Sequence, residues 1–95
     1  MPIFAVQYDY RDDSTSARDQ HRPAHRAFLD TLPDPVELLA SGPYAQEPAG
    51  ALLIFRAESA AAIEQALDAD PFAIEDVIER RTIREWPQAK GIWAG

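Results

Sequence analysis

With 95 residues the chain is one domain long, and 46% hydrophobic with 26% charged residues is the balance of a folded domain and excludes a disordered one. Nine basic residues against sixteen acidic ones leave a net charge of −7, which argues against nucleic acid or an anionic membrane as partner, since both are bound through clustered Lys and Arg. Cysteine is absent, and with it disulfides, a thiolate nucleophile and thiolate metal sites.

Pro2 to Tyr10 is rich in β-branched and aromatic residues without a helical period, so it reads as a strand. Arg11 to Ser16 is polar turn material. Ser16 followed by Asp19 resembles a capping box and sets a helix start near Ala17. Pro23 interrupts that pattern: either the main helix begins there, where a missing N–H costs nothing, or an early turn is kinked. Ala24, Phe28 and Leu32, with Leu29 beside them, carry an apolar stripe to about Thr31, and Leu32-Pro33-Asp34-Pro35 stops it. Val36 to Ser41 is a short apolar run closed by a Gly42-Pro43 turn, followed by a loop from Tyr44 to Gly50. Ala51 to Ala57 is the clearest strand. Ser59 is a natural N-cap for a helix from Ala60 to Ala69 with Ile63, Ala66 and Leu67 facing inward. Asp70 ends it, because the residue before a proline avoids the α region. Phe72 to Asp76 reads as one loose turn, Val77 to Trp86 as the last strand and Pro87 to Gly95 as a tail.

The order is β-α-β-β-α-β, a ferredoxin-like α+β sandwich over residues 1–95 as a single domain without linker or repeat. The strand at 51–57 is apolar on both faces, with Leu53 and Phe55 on one and Leu52 and Ile54 on the other. Two helices cover only one face of a sheet, so a second copy packed sheet to sheet is the simplest lid. The expectation is a homodimer joined through the open sheet face, a dimeric α/β barrel. No apolar run approaches the ~20 residues of a membrane span, and no basic region precedes an apolar stretch at the start. With seventeen Ala, eight Arg and one Lys, which look like GC-rich bacterial coding, a cytoplasmic bacterial protein is expected.

His21 and His25 are the two histidines and stand four residues apart, the spacing of a zinc-binding pair on one helix face. Pro23 lies between them and no third ligand is evident, so solvated helix histidines are the plainer reading; no metal and no cofactor are expected. Neither a Gly-rich phosphate loop nor a nucleophile elbow is present.

Four stretches together are more informative: Arg22-Pro23-Ala24-His25-Arg26-Ala27-Phe28-Leu29, Ser41-Gly42-Pro43-Tyr44, Gly50 to Phe55, and Asp70-Pro71-Phe72, with Arg84-Glu85-Trp86 closing the series. In this order and spacing the chain resembles the YciI-like (YCII-related) family of small bacterial proteins from Ile3 to Trp86. The resemblance implies the ferredoxin-like dimeric α/β barrel already read from the element order. It also implies a His/Asp centre, with the histidine at His25 and the aspartate at Asp70. The sequence departs from the family pattern at Ala73 to Asp76, where a glycine is usual, and at Arg81 and Glu85 in the last strand.

An imidazole titrates near neutral pH, and a carboxylate beside it sets its tautomer and raises its basicity. His25 and Asp70 are therefore the candidate catalytic pair, expected within hydrogen-bond reach of each other. The competing reading for Asp70 is a cap on the turn at Pro71 and Phe72; for His25 it is a structural hydrogen bond. Tyr8, Tyr44, Phe72 and Trp86 are candidate substrate-binding residues or else plain core and interface. Arg81, on a strand beside Ile83, needs either a ligand anion or a carboxylate partner, from Glu79, Glu85 or the other subunit. The function these residues suggest is a cofactor-free small-molecule enzyme moving a proton through His25, with lyase or isomerase chemistry. The alternative is a non-catalytic barrel that binds a small ligand or a partner.

Overall fold

Residues 1–94 are described by a computed structural model of the chain. Its elements are β1 (Ile3–Tyr10), α1 (Thr15–Asp30), β2 (Glu37–Pro43), β3 (Gly50–Arg56), α2 (Ala60–Leu67), α3 (Pro71–Ile74) and β4 (Ile78–Glu85). The strands form one antiparallel sheet in the order β2-β3-β1-β4, the ferredoxin-like arrangement of a small α+β domain.

Alternation along β1 and β3 decides which side meets the helices. Phe4, Val6 and Tyr8 of β1 and Ala51, Leu53 and Phe55 of β3 turn into one core with Leu29 of α1 and Ile63 and Leu67 of α2. Pairing aligns the two rows, with Val6 opposite Leu53 and Ile83, and Tyr8 opposite Ala51 and Arg81. Each large apolar side chain buried here contributes roughly 1.5–3 kcal/mol. On the other face Ala5 pairs with Ile54 and Gln7 with Leu52; Ile54 is only 5% exposed and Leu52 is 38% exposed. Gly50 is where β3 enters the sheet beside β1. A Cβ there would stand 2.6 Å from the Tyr8 carbonyl oxygen, so only glycine permits this approach.

Helix α1 differs most from the sequence reading. It begins at Thr15 after Ser14, not at a Ser16 capping box, and it runs through Pro23 without ending. Buried and half-buried positions recur at three- and four-residue steps through Ala17, Arg18, His21, Arg22, His25, Phe28 and Leu29, so one continuous face holds the helix down. Ala24 stands outside that stripe and is exposed. Pro23 is exposed too, so the Asp19 carbonyl that loses its helical donor can turn to water. Gly42-Pro43 extends β2 instead of closing it, and the expected turn after Pro71 is the short helix α3. Among the described residues no helix is long and apolar enough to cross a membrane.

Candidate active site

The Asp70-Pro71-Phe72 stretch builds the site from local rules. Asp70 is extended (φ −61°, ψ 128°) and caps α3, its Oδ1 accepting the Phe72 backbone N–H at 2.9 Å. Pro71 follows at the first helical position, where a missing N–H costs nothing. Phe72 then turns its ring back toward α1. Asp70 thus caps α3 rather than ending α2, which stops at Leu67.

Two side chains complete the shell around this carboxylate, which is wholly buried. The Tyr8 hydroxyl donates to Oδ2 at 2.8 Å, and His25 Nδ1 lies 2.8 Å from Oδ1. Capping and the histidine contact are therefore not alternatives; the same oxygen serves both. Burial raises the Tyr8 pKa far above its ordinary value, with the charge and hydrogen bond of Asp70 adding to it, so Tyr8 stays a phenol and a donor.

The His25 ring lies flat on Phe72, with centroids 4.1 Å apart and planes within 2°. Tyr10 meets the same Phe72 edge to face at 5.8 Å. Facing the carboxylate oxygen, Nδ1 is the donor, and in the neutral ring this tautomer leaves the Nε2 lone pair on the outer side. Nε2 has no hydrogen-bond partner among the described residues. His25 instead lines a cavity of about 410 Å³ between α1, β2 and β3. Arg18, Arg22, Arg26 and Leu29 of α1 form one wall, with Tyr10 and Phe72 at the His25 end and Pro43, Ala51 and Leu53 opposite. The volume falls in the range of small-ligand pockets.

The structure brings His25, Asp70, Tyr8 and Phe72 together and leaves three candidates elsewhere. Tyr44 is 44% exposed, and its hydroxyl donates to Gln7 at 3.2 Å on the sheet face away from the helices. Arg81 reaches Asp68 at 2.8 Å instead of Glu79 or Glu85, because β4 passes the end of α2. Trp86 follows β4 beside Ile3, at the other end of β1 from Tyr8 and Tyr10, and is 43% exposed. His21 stands 3.7 Å from Glu75 and shares no site with His25. Sequence reasoning missed Tyr10 and the arginines Arg18, Arg22 and Arg26; their regular four-residue spacing was the available signal.

Sheet order and helix placement define a ferredoxin-like α+β domain, with a buried carboxylate holding an imidazole at a cavity wall as its candidate site. A family model, the YCII-related domain, matches residues 1–87, and the chain belongs to that family. No curated protein sequence matches it. Among solved structures it is similar to 5-chloro-2-hydroxyhydroquinone dehydrochlorinase (TftG) from Burkholderia phenoliruptrix AC1100, in complex with 2,5-dihydroxybenzoquinone. There the TM-score is 0.80 and the identity 22%, covering 90% of this chain and 94% of that one. It is similar also to an uncharacterized NIPSNAP domain protein from Burkholderia xenovorans (TM-score 0.59, 10% identity, covering 94% of this chain and 95% of that one). A third likeness is to At3g17210 from Arabidopsis thaliana (TM-score 0.57, 12% identity, covering 96% of this chain and 98% of that one). At these identities the likenesses speak for the fold.

Proposed function

We propose that this protein is a cytoplasmic small-molecule enzyme that moves protons through His25, with lyase or isomerase chemistry. The observation that carries this reading is the 2.8 Å contact between His25 Nδ1 and the buried Asp70 carboxylate, made by a ring that lines an open cavity. Nε2 takes a proton from a carbon or hydroxyl of the bound substrate. The imidazolium so formed keeps its other proton toward Asp70, whose charge stabilises it. Nε2, in exchange with solvent through the open cavity, then returns a proton at another atom, as in an isomerase, or delivers it to a departing group, as in a lyase. Phe72 holds the ring plane, and Tyr8 holds Asp70 from behind. A cavity filled by side chains would favour a non-catalytic module; an open one with His25 in its wall supports turnover. The dehydrochlorinase named above lends the same direction, since loss of HCl from a hydroxylated ring is a proton-transfer elimination. The active form in this reading is a homodimer joined through the outer sheet face.

The test is a solvent-exchange assay. The protein is incubated in D₂O with a panel of enolisable acids and hydroxylated aromatics, 5-chloro-2-hydroxyhydroquinone among them, and deuterium incorporation and product formation are followed by NMR. We expect turnover of at least one compound, and a loss of about 10²-fold or more in His25→Ala and Asp70→Asn with the fold retained. Turnover that survives in His25→Ala, or none across the panel, overturns the reading.

A further inference from the structure

The charge around the cavity runs against the charge of the chain. The protein carries a net charge of −7, yet every charged side chain that joins His25 in the cavity wall is an arginine: Arg18, Arg22 and Arg26. Four-residue steps place them in one row along α1. Of the three, only Arg22 meets a carboxylate among the described residues, with Nη1 2.6 Å from Asp19. Half-buried Arg18 is held by uncharged groups: Nε donates to Ser14 Oγ at 2.9 Å, Nη2 to Thr15 Oγ1 at 3.2 Å, and the guanidinium rests 4.7 Å over the Tyr10 ring. Burial keeps the Tyr10 phenol neutral, so it supplies no counter-charge. Arg26 makes no hydrogen bond or ion pair among the described residues.

A partly desolvated guanidinium without a negative partner is unfavourable, and one already oriented by neutral acceptors and a ring face is prepared for an anion. The rest of the wall is mainly apolar, through Leu29, Pro43, Ala51, Leu53 and Phe72, with Ser41 at the β2 side. We propose that the cavity takes a small organic anion, a carboxylate on an apolar body, with the arginine row as its counter-charge and the apolar wall against its body. This names the substrate class of the site proposed above and rests on that reading for its chemistry, though not for its binding.

The experiment titrates the protein with benzoate and with benzamide, its uncharged isostere, while following the His25 ring signals by NMR. Benzoate is expected to shift those signals saturably and to bind at least about tenfold more tightly than benzamide. Arg18→Gln and Arg26→Gln should each weaken benzoate by roughly five- to twentyfold, the loss of one charge-assisted contact, and leave benzamide unchanged. Arg26 is exposed on the helix surface, so its variant tests the row without disturbing the core. His25→Ala, measured by calorimetry, should keep benzoate affinity within about threefold; binding that persists while exchange activity also persists sinks the catalytic reading alone. Equal affinity for benzoate and benzamide, no saturable benzoate binding, or arginine variants that both bind like the parent would overturn the anion proposal.

Discussion

Tyr8 ties the first strand to the site by one hydroxyl, and its titration has a sign that can be measured. Its pKa is raised above the ordinary 10.0, first by burial and then by Asp70. Below pH 10 the phenol is neutral in folded and unfolded chains alike, and its contribution to stability is complete. Above pH 10 the unfolded chain releases the proton first, so stability falls as pH rises toward the folded value, at up to about 1.4 kcal/mol per pH unit. Tyr10 is raised in the same direction and adds to the slope. Tyr8→Phe should cost about 1–2 kcal/mol at pH 7 through the lost hydrogen bond, and should flatten the decline between pH 10 and 11 in urea unfolding. A variant as steep as the parent would contradict this. At this scale the sequence is only partly legible. His25 and Asp70 stand 45 positions apart, and nothing in their own neighbourhoods pairs them; the family resemblance does. Arg81 misleads because its partner, Asp68, sits on a different element from the nearby glutamates.

Strand β3 is legible at the element scale because its composition is unbroken by polar residues, and its Gly50 carries a consequence for the site. A Gly50→Ala side chain would press on the Tyr8 carbonyl at 2.6 Å. The backbone on either side is paired, so the sheet must shift, at a cost of about 1–3 kcal/mol. Because Tyr8 also bonds Asp70, the displacement should reach the cavity, and a shift of the His25 ring resonances should accompany the lower melting temperature. An unchanged His25 signal in a destabilised variant would show that strand and site move independently. Helix α1 is less legible than β3. Pro23 carries a strong local stop signal, but the tertiary contacts of Arg18, His25 and Leu29 on both sides of it override that signal. The helix α3 is hidden for a different reason: four residues are too short for a period, and only the Asp-Pro start is visible in advance.

For the molecule as a whole, the β-α-β-β-α-β order is readable because each apolar run is separated by clear breakers, and the sheet order follows from that topology. The second face of the sheet is where the proposed dimer would form. Its apolar row joins Ala5 and Ile54 to the half-exposed Leu52. Sedimentation at micromolar concentration should give a dimer, and Leu52→Asp should shift it toward monomer, since an unpaired charge in a closed sheet-to-sheet interface costs several kcal/mol. A parent chain that sediments as a monomer would remove the proposal.

The sealing of Asp70 limits what passes through the cavity. Its two oxygens are occupied by Tyr8, His25 and the Phe72 amide, and none of its surface meets solvent. The guanidinium groups in the wall only donate hydrogen bonds, and burial holds the pKa of the half-buried Tyr10 phenol above its ordinary value, so it keeps its proton. On the proposed reading, one nitrogen, Nε2 of His25, is left to exchange a proton with a bound molecule. The cavity therefore has single occupancy for mobile protons, and it cannot act as acid and base on two atoms at once. In that reading, reactions suited to it are those in which one proton leaves and one comes back through the same nitrogen, or in which water or the substrate itself supplies the second. Concerted double transfers belong to other architectures.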